Sequence, residues 1–156
     1  MKIILRADGV IRSGPERLLI DDYIKRANST SRSVGFLNIF EEQINLRAVK
    51  TITEKTKILL RYNSLNEKLI ILDERGRQPT SKQISEQFST WRDNNIKKLI
   101  LVIGGADGFD QTNVPNDITR WAFGQQTWPH KMVRAMAAEQ IYRAISILSS
   151  TPYHRD

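Results

Sequence analysis

The chain alternates short, almost unbroken apolar runs with longer stretches whose apolar residues recur at three- and four-residue spacing. Lys2 to Ala7, Lys68 to Asp73 and Lys98 to Ile103 are runs of the first kind. Unbroken apolarity over so few residues predicts strands covered on both faces. Val34 to Phe40 is a further strand candidate. Helical spacing appears over Glu16 to Asn28 (Leu18, Leu19, Tyr23, Ala27) and over Glu54 to Tyr62 (Ile58, Leu59). It recurs in a segment capped by Ser81 that carries Phe88 and Trp91 on one face, and from Lys131 to Ser149. Pro115 is expected to start a short helix holding Ile118 and Trp121, and Gly124 to Trp128 reads as a weak strand or extended loop. Glu41 to Thr53 follows neither period. Strands alternating with helices predict an α/β fold, a mostly parallel sheet flanked by helices.

The last helix is too apolar for one face. Val133, Met136, Ala137, Ile141, Ala144, Ile145 and Leu148 form its core stripe, and Met132, Ala135 and Ala138 widen it. Such a helix is either buried on two sides or packed against another subunit, and a homodimer is the preferred expectation.

A chain of 156 residues is expected to form one domain over residues 1–156, with roughly 70% of the unfolded surface buried. There is no cysteine, which excludes disulfides, thiolate metal sites and cysteine nucleophiles. Two histidines argue against zinc, although carboxylates could still hold magnesium, and no metal site is assigned. Ile3-Ile4-Leu5 meets a charge at Arg6, too soon for a signal peptide, and no run reaches the length of a membrane span. A cytoplasmic protein without a membrane partner is expected.

The net charge of +7 is unevenly spread. Lys and Arg outnumber Asp and Glu by 9 to 6 in residues 1–50 and by 10 to 6 in 51–100, but match them at 5 to 5 in 101–156. A basic body beside a neutral, glycine-rich segment suits a polyanion docking near a pocket, although such an excess is also compatible with a merely soluble surface.

In an open α/β sheet ligands bind beyond the carboxyl ends of the strands. Leu72 to Gly76, Ile103 to Gly108 and Phe123 to Pro129 are expected to converge there. Gly104-Gly105 admits a ligand close to the backbone, or is only a tight turn after a strand. A P-loop needs a lysine and a hydroxyl after its glycines, whereas Asp107 stands here and repels phosphate. The dinucleotide fingerprint is absent too. A cationic ligand without phosphates, such as S-adenosyl-L-methionine, suits the segment better.

Leu72-Asp73, Ile103 to Gly108, Pro129-His130, Val133-Arg134, Glu139 to Ala144 and the tail Pro152-Tyr153-His154-Arg155 together resemble the RlmH family. These are SPOUT-class methyltransferases that modify N3 of a pseudouridine in helix 69 of 23S ribosomal RNA. The likeness spans the chain and is most specific over residues 72 to 155. It implies an α/β knot, in which the final helix is threaded through a C-terminal trefoil knot. That topology is rare enough for pattern reasoning to reject. It also implies a homodimer in which the tail of one subunit reaches the pocket of the other. S-adenosyl-L-methionine contacts would come from Leu72, Gly104 and the run Phe123, Gly124, Gln125, Gln126, Thr127 and Trp128. Gln125, Gln126 and Trp128 depart from the aliphatic, serine-rich segment usual in the family.

The tail carries the catalytic expectations. His154 is the candidate base or hydrogen-bond organiser, Arg155 a phosphate or carbonyl partner, and Tyr153 a stacking platform. The alternative is that Pro152 to Arg155 only pins the terminus. His130 reads as a capping or structural residue, and Arg134 and Arg143 as partners of Glu139 or of RNA, with the pairing preferred for Arg143. Arg6, Lys25, Arg26, Arg75 and Arg77 are expected to meet phosphates of large-subunit RNA within the ribosome. Two rival readings remain: a non-catalytic basic RNA-binding module, and a SPOUT methyltransferase acting on another RNA.

Overall fold

The computed structural model describes residues 1–154. Strands β1 (Lys2–Asp8), β2 (Asn38–Ile44), β3 (Glu67–Arg77), β4 (Lys98–Ile103) and β5 (Thr119–Trp121) form one sheet in the order β2-β1-β4-β3-β5. Every pairing is parallel. Helices α1 (Pro15–Ser31), α2 (Ile52–Leu59), α3 (Ser81–Asp93) and α4 (His130–Leu148) complete the fold. The chain leaves β4, passes β3 to pair at the sheet edge as β5, and returns to α4, which packs against α1 and α3.

The apolar runs divide by parity, as the two-residue period of a strand requires. Ile3, Leu5, Ala7, Ile70, Leu72, Leu99, Leu101 and Ile103 face α1, α3 and α4, where Ile20, Ala27, Phe88, Ala137 and Ile141 complete the core. Ile4, Leu69, Ile71, Ile100 and Val102 face the other way. There they meet Leu59 of α2 together with Phe109, Val114 and Ile118 of the segment between β4 and β5. Burial on both faces is why these strands show no polar alternation.

Four local expectations change. The helix expected to end at Asn28 continues, and the Asn28 side chain bridges elements: Nδ2 donates to the carbonyls of Ile24 (3.0 Å) and Ile39 (2.7 Å), and Oδ1 accepts from the Ile39 N–H (3.0 Å). Helix α1 runs on to Ser31, and β2 begins at Asn38 and extends to Ile44, into the segment that followed neither period. Thr80, not Ser81, caps α3 in a capping box with Gln83, and Ser81 Oγ donates to Gln140 of α4 (2.9 Å). No helix forms after Pro115: Ile118 and Trp121 lie in opposite core clusters, as flanking and terminal residues of a short strand do.

The polar strand β2 is held by charge. Arg134 of α4, its side chain 1% exposed, bonds Glu41 (5% exposed) at 2.5 Å and the Gly9 carbonyl at 3.0 Å. Arg17 of α1 pairs with the other oxygen of Glu41. One buried carboxylate thus joins β2, α1 and α4. Removing the anion between two guanidinium groups, as in Glu41→Gln, is expected to cost about 3–5 kcal/mol in urea unfolding. Arg26→Gln, at the exposed pair with Asp22, is expected to leave the midpoint in place. Equal midpoints for the two variants would contradict this role for Glu41.

Candidate active site

Strand register brings the loops together. Gln43, Ala7, Ile103, Leu72 and Trp121 form one row across all five strands; β1, β2, β4 and β5 end at or next to it, and β3 bulges out beyond Leu72 before Arg77 pairs again with Trp121. Beyond β4, β3 and β5 lies a cavity of about 420 Å³. Its walls come from the three segments expected to converge: Leu72 to Arg75, Ile103 to Phe109, and Trp121 to Trp128, with His130 and Val133 from the start of α4. Leu72, Gly104, Phe123, Gly124, Gln126, Thr127 and Trp128 all line it. Gln125 is exposed and does not.

Close backbone approach shapes these walls. A Cβ at Gly104 would lie 2.8 Å from the Gly108 carbonyl oxygen, and one at Gly76 would lie 2.6 Å from Trp121 backbone atoms. The run after β5 is closed on itself by Trp128 Nε1 donating to the Phe123 carbonyl (3.2 Å), and tied to β3 by Thr127 Oγ1 donating to Glu74 (3.1 Å). Asp73 is held on both oxygens, by the Arg75 N–H (2.9 Å) and by Gln111 Nε2 (2.9 Å). Arg120 donates to Gln111 Oε1 (2.5 Å), which fixes the orientation of that amide. Gln111 and Arg120 carried no signal in the sequence, because only the passage from β4 to β5 brings them to Asp73.

His130 is the first residue of α4 and does not cap it; Pro129 occupies the cap with no side-chain hydrogen bond, and the imidazole belongs to the cavity wall. Nearby, Asp110 accepts from Thr112, Thr53 and Asn113, and these bonds hold its carboxyl down at about 2. The Thr53 bond and that from Thr56 Oγ1, which accepts the Asp110 N–H, tie the segment after β4 to α2.

The tail lies elsewhere. Tyr153 donates from its hydroxyl to Glu139 Oε1 (3.0 Å), packs on Tyr142 (ring centroids 4.4 Å apart) and lies under the Arg143 guanidinium at 4.8 Å. Burial, then its bonds with Tyr23 and Glu139, push the Tyr153 phenol well above its ordinary value and keep it neutral. Arg143 pairs with Glu139, as preferred, whereas Arg134 pairs with Glu41. His154 Nδ1 sits 3.4 Å from Arg143 Nη1. A guanidinium only donates, so in this contact Nδ1 is the acceptor. Tyr153 and His154 are not among the residues lining the cavity of their own subunit. Arg155 lies outside the described residues.

Several cations expected to meet RNA are engaged within the protein. Arg6 bonds Glu42 (2.6 Å) and the carbonyls of Leu59 and Arg61, and Arg26 pairs with Asp22. Lys25 and Arg77 are exposed, and Arg75 lines the cavity.

A sequence model for a family described as "Predicted SPOUT methyltransferase" matches residues 1–154. The chain belongs to the SPOUT methyltransferases. It is 41% identical over 156 residues to the ribosomal RNA large subunit methyltransferase H of Maricaulis maris, covering 100% of both chains. Proteins of the same name from Chelativorans sp. (39% identity, covering 100% of this chain and 92% of that one) and Hyphomonas neptunium (40%, covering 99% of each) are similarly close.

The cofactor of SPOUT methyltransferases is S-adenosylmethionine, and the walls fit it. The cavity falls within the range of about 300–1,000 Å³ typical of small-molecule sites. Asp73, Glu74 and Asp107 offer carboxylates to a ligand bearing a sulfonium, an ammonium and hydroxyls, and Arg75 offers a partner for its carboxylate. Glycine backbone supplies close, uncharged contacts. Gly76→Ala is expected to force β5 away from β3 and weaken S-adenosylmethionine binding by about tenfold or more, an overpacking effect of about 1–3 kcal/mol. Titration calorimetry of the variant tests it, and an unchanged affinity would show that this wall does not set the site. For Asp110, native protein binds fewer protons than unfolded protein as the pH falls from 3.8 toward about 2. Stability therefore rises with pH across that window. The melting-temperature gap between the parent and Asp110→Asn is expected to be full above pH 3.8 and to vanish near pH 2.

Proposed function

We propose that the chain is a cytoplasmic homodimer that uses S-adenosylmethionine to methylate N3 of a pseudouridine in helix 69 of large-subunit ribosomal RNA, with residues 1–156 acting as one methyltransferase domain. What carries the substrate is the end-to-end likeness to relatives named ribosomal RNA large subunit methyltransferase H. Among the described residues no helix is long and apolar enough to cross a membrane.

The dimer reading is supported by the α1–α4 face. Leu19, Phe123, Met132, Ala135 and Met136 line a second, apolar hollow of about 260 Å³ there, beside Leu18, which is 72% exposed. A partner seated on this face would bring its tail toward the cavity, and the site would be composite. We further propose that the return from β5 to α4 is threaded as a trefoil knot.

S-adenosylmethionine, when bound, supplies a methyl group on a positively charged sulfur, open to in-line attack. The protein's work is then largely positioning. The Phe123–Trp128 run and the Gly104 segment hold and seal the cofactor pocket, while Asp73, locked by Gln111, keeps a fixed carboxylate in its wall. Tyr153, neutral, pins the tail to α4 through Glu139, Tyr142 and Arg143. His154, held beside Arg143, orients the substrate base by hydrogen bonding, and the imino proton lost from N3 passes to solvent.

Ribosomes from cells lacking the gene, incubated with the protein and labelled S-adenosylmethionine, should gain one methyl on the helix 69 fragment by mass spectrometry. Transfer to a different RNA would move the substrate assignment, and no transfer to any RNA would overturn the reading. His154→Ala is expected to lower kcat by about 10²-fold or more, whereas His154→Gln, which retains a donor, should stay within about tenfold of the parent. Equal loss in both would favour the base over the donor.

A further inference from the structure

The edge that carries the cavity continues across β1 and β2, and its loops there are of a different kind. Residues 9–14 and 45–51, which follow β1 and β2, contain no Asp or Glu and carry Arg12, Arg47 and Lys50. All three are exposed, and among the described residues none forms an ion pair. By contrast the segments lining the cavity hold Asp73, Glu74 and Asp107, with Arg75 as the one Lys or Arg among the lining residues.

These cations sit on a built platform. Gly9 N–H donates to the Ile44 carbonyl (2.7 Å) and Ile11 N–H to Gln43 Oε1 (2.7 Å), so the loop after β1 is tied to the end of β2, from which the second loop departs. Ile11 and Leu46 are each 4% exposed and anchor their loops in opposite faces of the sheet, Ile11 in the core under α1 and α4 and Leu46 in the core under α2. A turn closed by Val49 N–H to the Leu46 carbonyl (3.0 Å) directs Leu46 and Val49 inward and leaves Arg47 and Lys50 outside. Neighbouring strands lie about 4.8 Å apart, so the end of β2 is roughly 10 Å from that of β4, where the cavity begins.

We infer that Arg12, Arg47 and Lys50 form a docking platform for the phosphate backbone of the RNA whose base enters the cavity. Unpaired cations on loops already ordered by the fold attract phosphates at low entropic cost. The acidic cavity rim repels phosphates, so the backbone is drawn to the β2–β1 side while a base turns toward β4. This inference rests on the reading that the protein acts on RNA of the large ribosomal subunit.

The test uses the full-length protein and purified large ribosomal subunits, with affinity measured across a salt series. The triple variant Arg12→Ala, Arg47→Ala, Lys50→Ala is expected to bind roughly tenfold or more weakly near physiological salt and to lose about 2–3 from the slope of log affinity against log salt. Its S-adenosylmethionine affinity and melting temperature should match the parent. A control with the same loss of charge, Lys57→Ala, Lys82→Ala, Lys97→Ala, alters exposed residues on other parts of the surface and should keep the parental slope. Unchanged binding in the first variant, or equal weakening in both, overturns the platform. Because the readout is binding, its failure is separate from failure to find methyl transfer by the parent.

Discussion

Five parallel strands in register leave the sheet along a single edge, and nearly everything of interest in this protein follows from that constraint. Parallel pairing sends every loop after a strand to one side. The row from Gln43 to Trp121 sets four of them at about one level, while β3 bulges out beyond it. Three of the five exits make the cofactor cavity, and the other two carry the unpaired cations. The cavity and the unpaired cations therefore share one rim and are divided by charge.

That edge is kept in shape by polar interactions inside the fold. Glu41 joins β2 to α1 and α4 through two arginines, and it holds Arg134 one turn beyond His130, at the cavity wall. Isolated from one another, these charges would be costly to bury; paired, they tie α4 to the sheet. Asp73 with Gln111 and Arg120, and Asp110 with Thr53, do similar work for the segment after β4. The cavity is thus bounded by loops whose positions are set before any ligand arrives.

Helix α4 serves three surfaces at once. Its buried stripe completes the core, its first turn lines the cavity, and Met132 and Met136 face the apolar hollow shared with Leu19. Its far half anchors the tail through Glu139, Tyr142 and Arg143. The breadth of apolar character along this helix is the sum of these demands. Phe123 borders both the cavity and the hollow, so the two surfaces share a wall.

Where a residue's role depended on its own neighbours in the chain, the sequence was enough. The central strands were legible because burial on both faces demands continuous apolarity, and the three cavity segments because glycine and proline mark where strands give way to loops. The identity of the family was legible in the ordered motifs from Leu72 to the tail. The second half of strand β2 was not, since Glu41, Glu42 and Gln43 are satisfied by Arg134, Arg6 and Ile11, residues remote in sequence. Nor was the fate of the cations: Arg6 and Arg26 read the same as Arg12 and Arg47 until folding paired two of them and left two free. Charge belongs to the sequence, but whether a charge is spent inside the protein or offered to a partner depends on distances that only the tertiary structure sets.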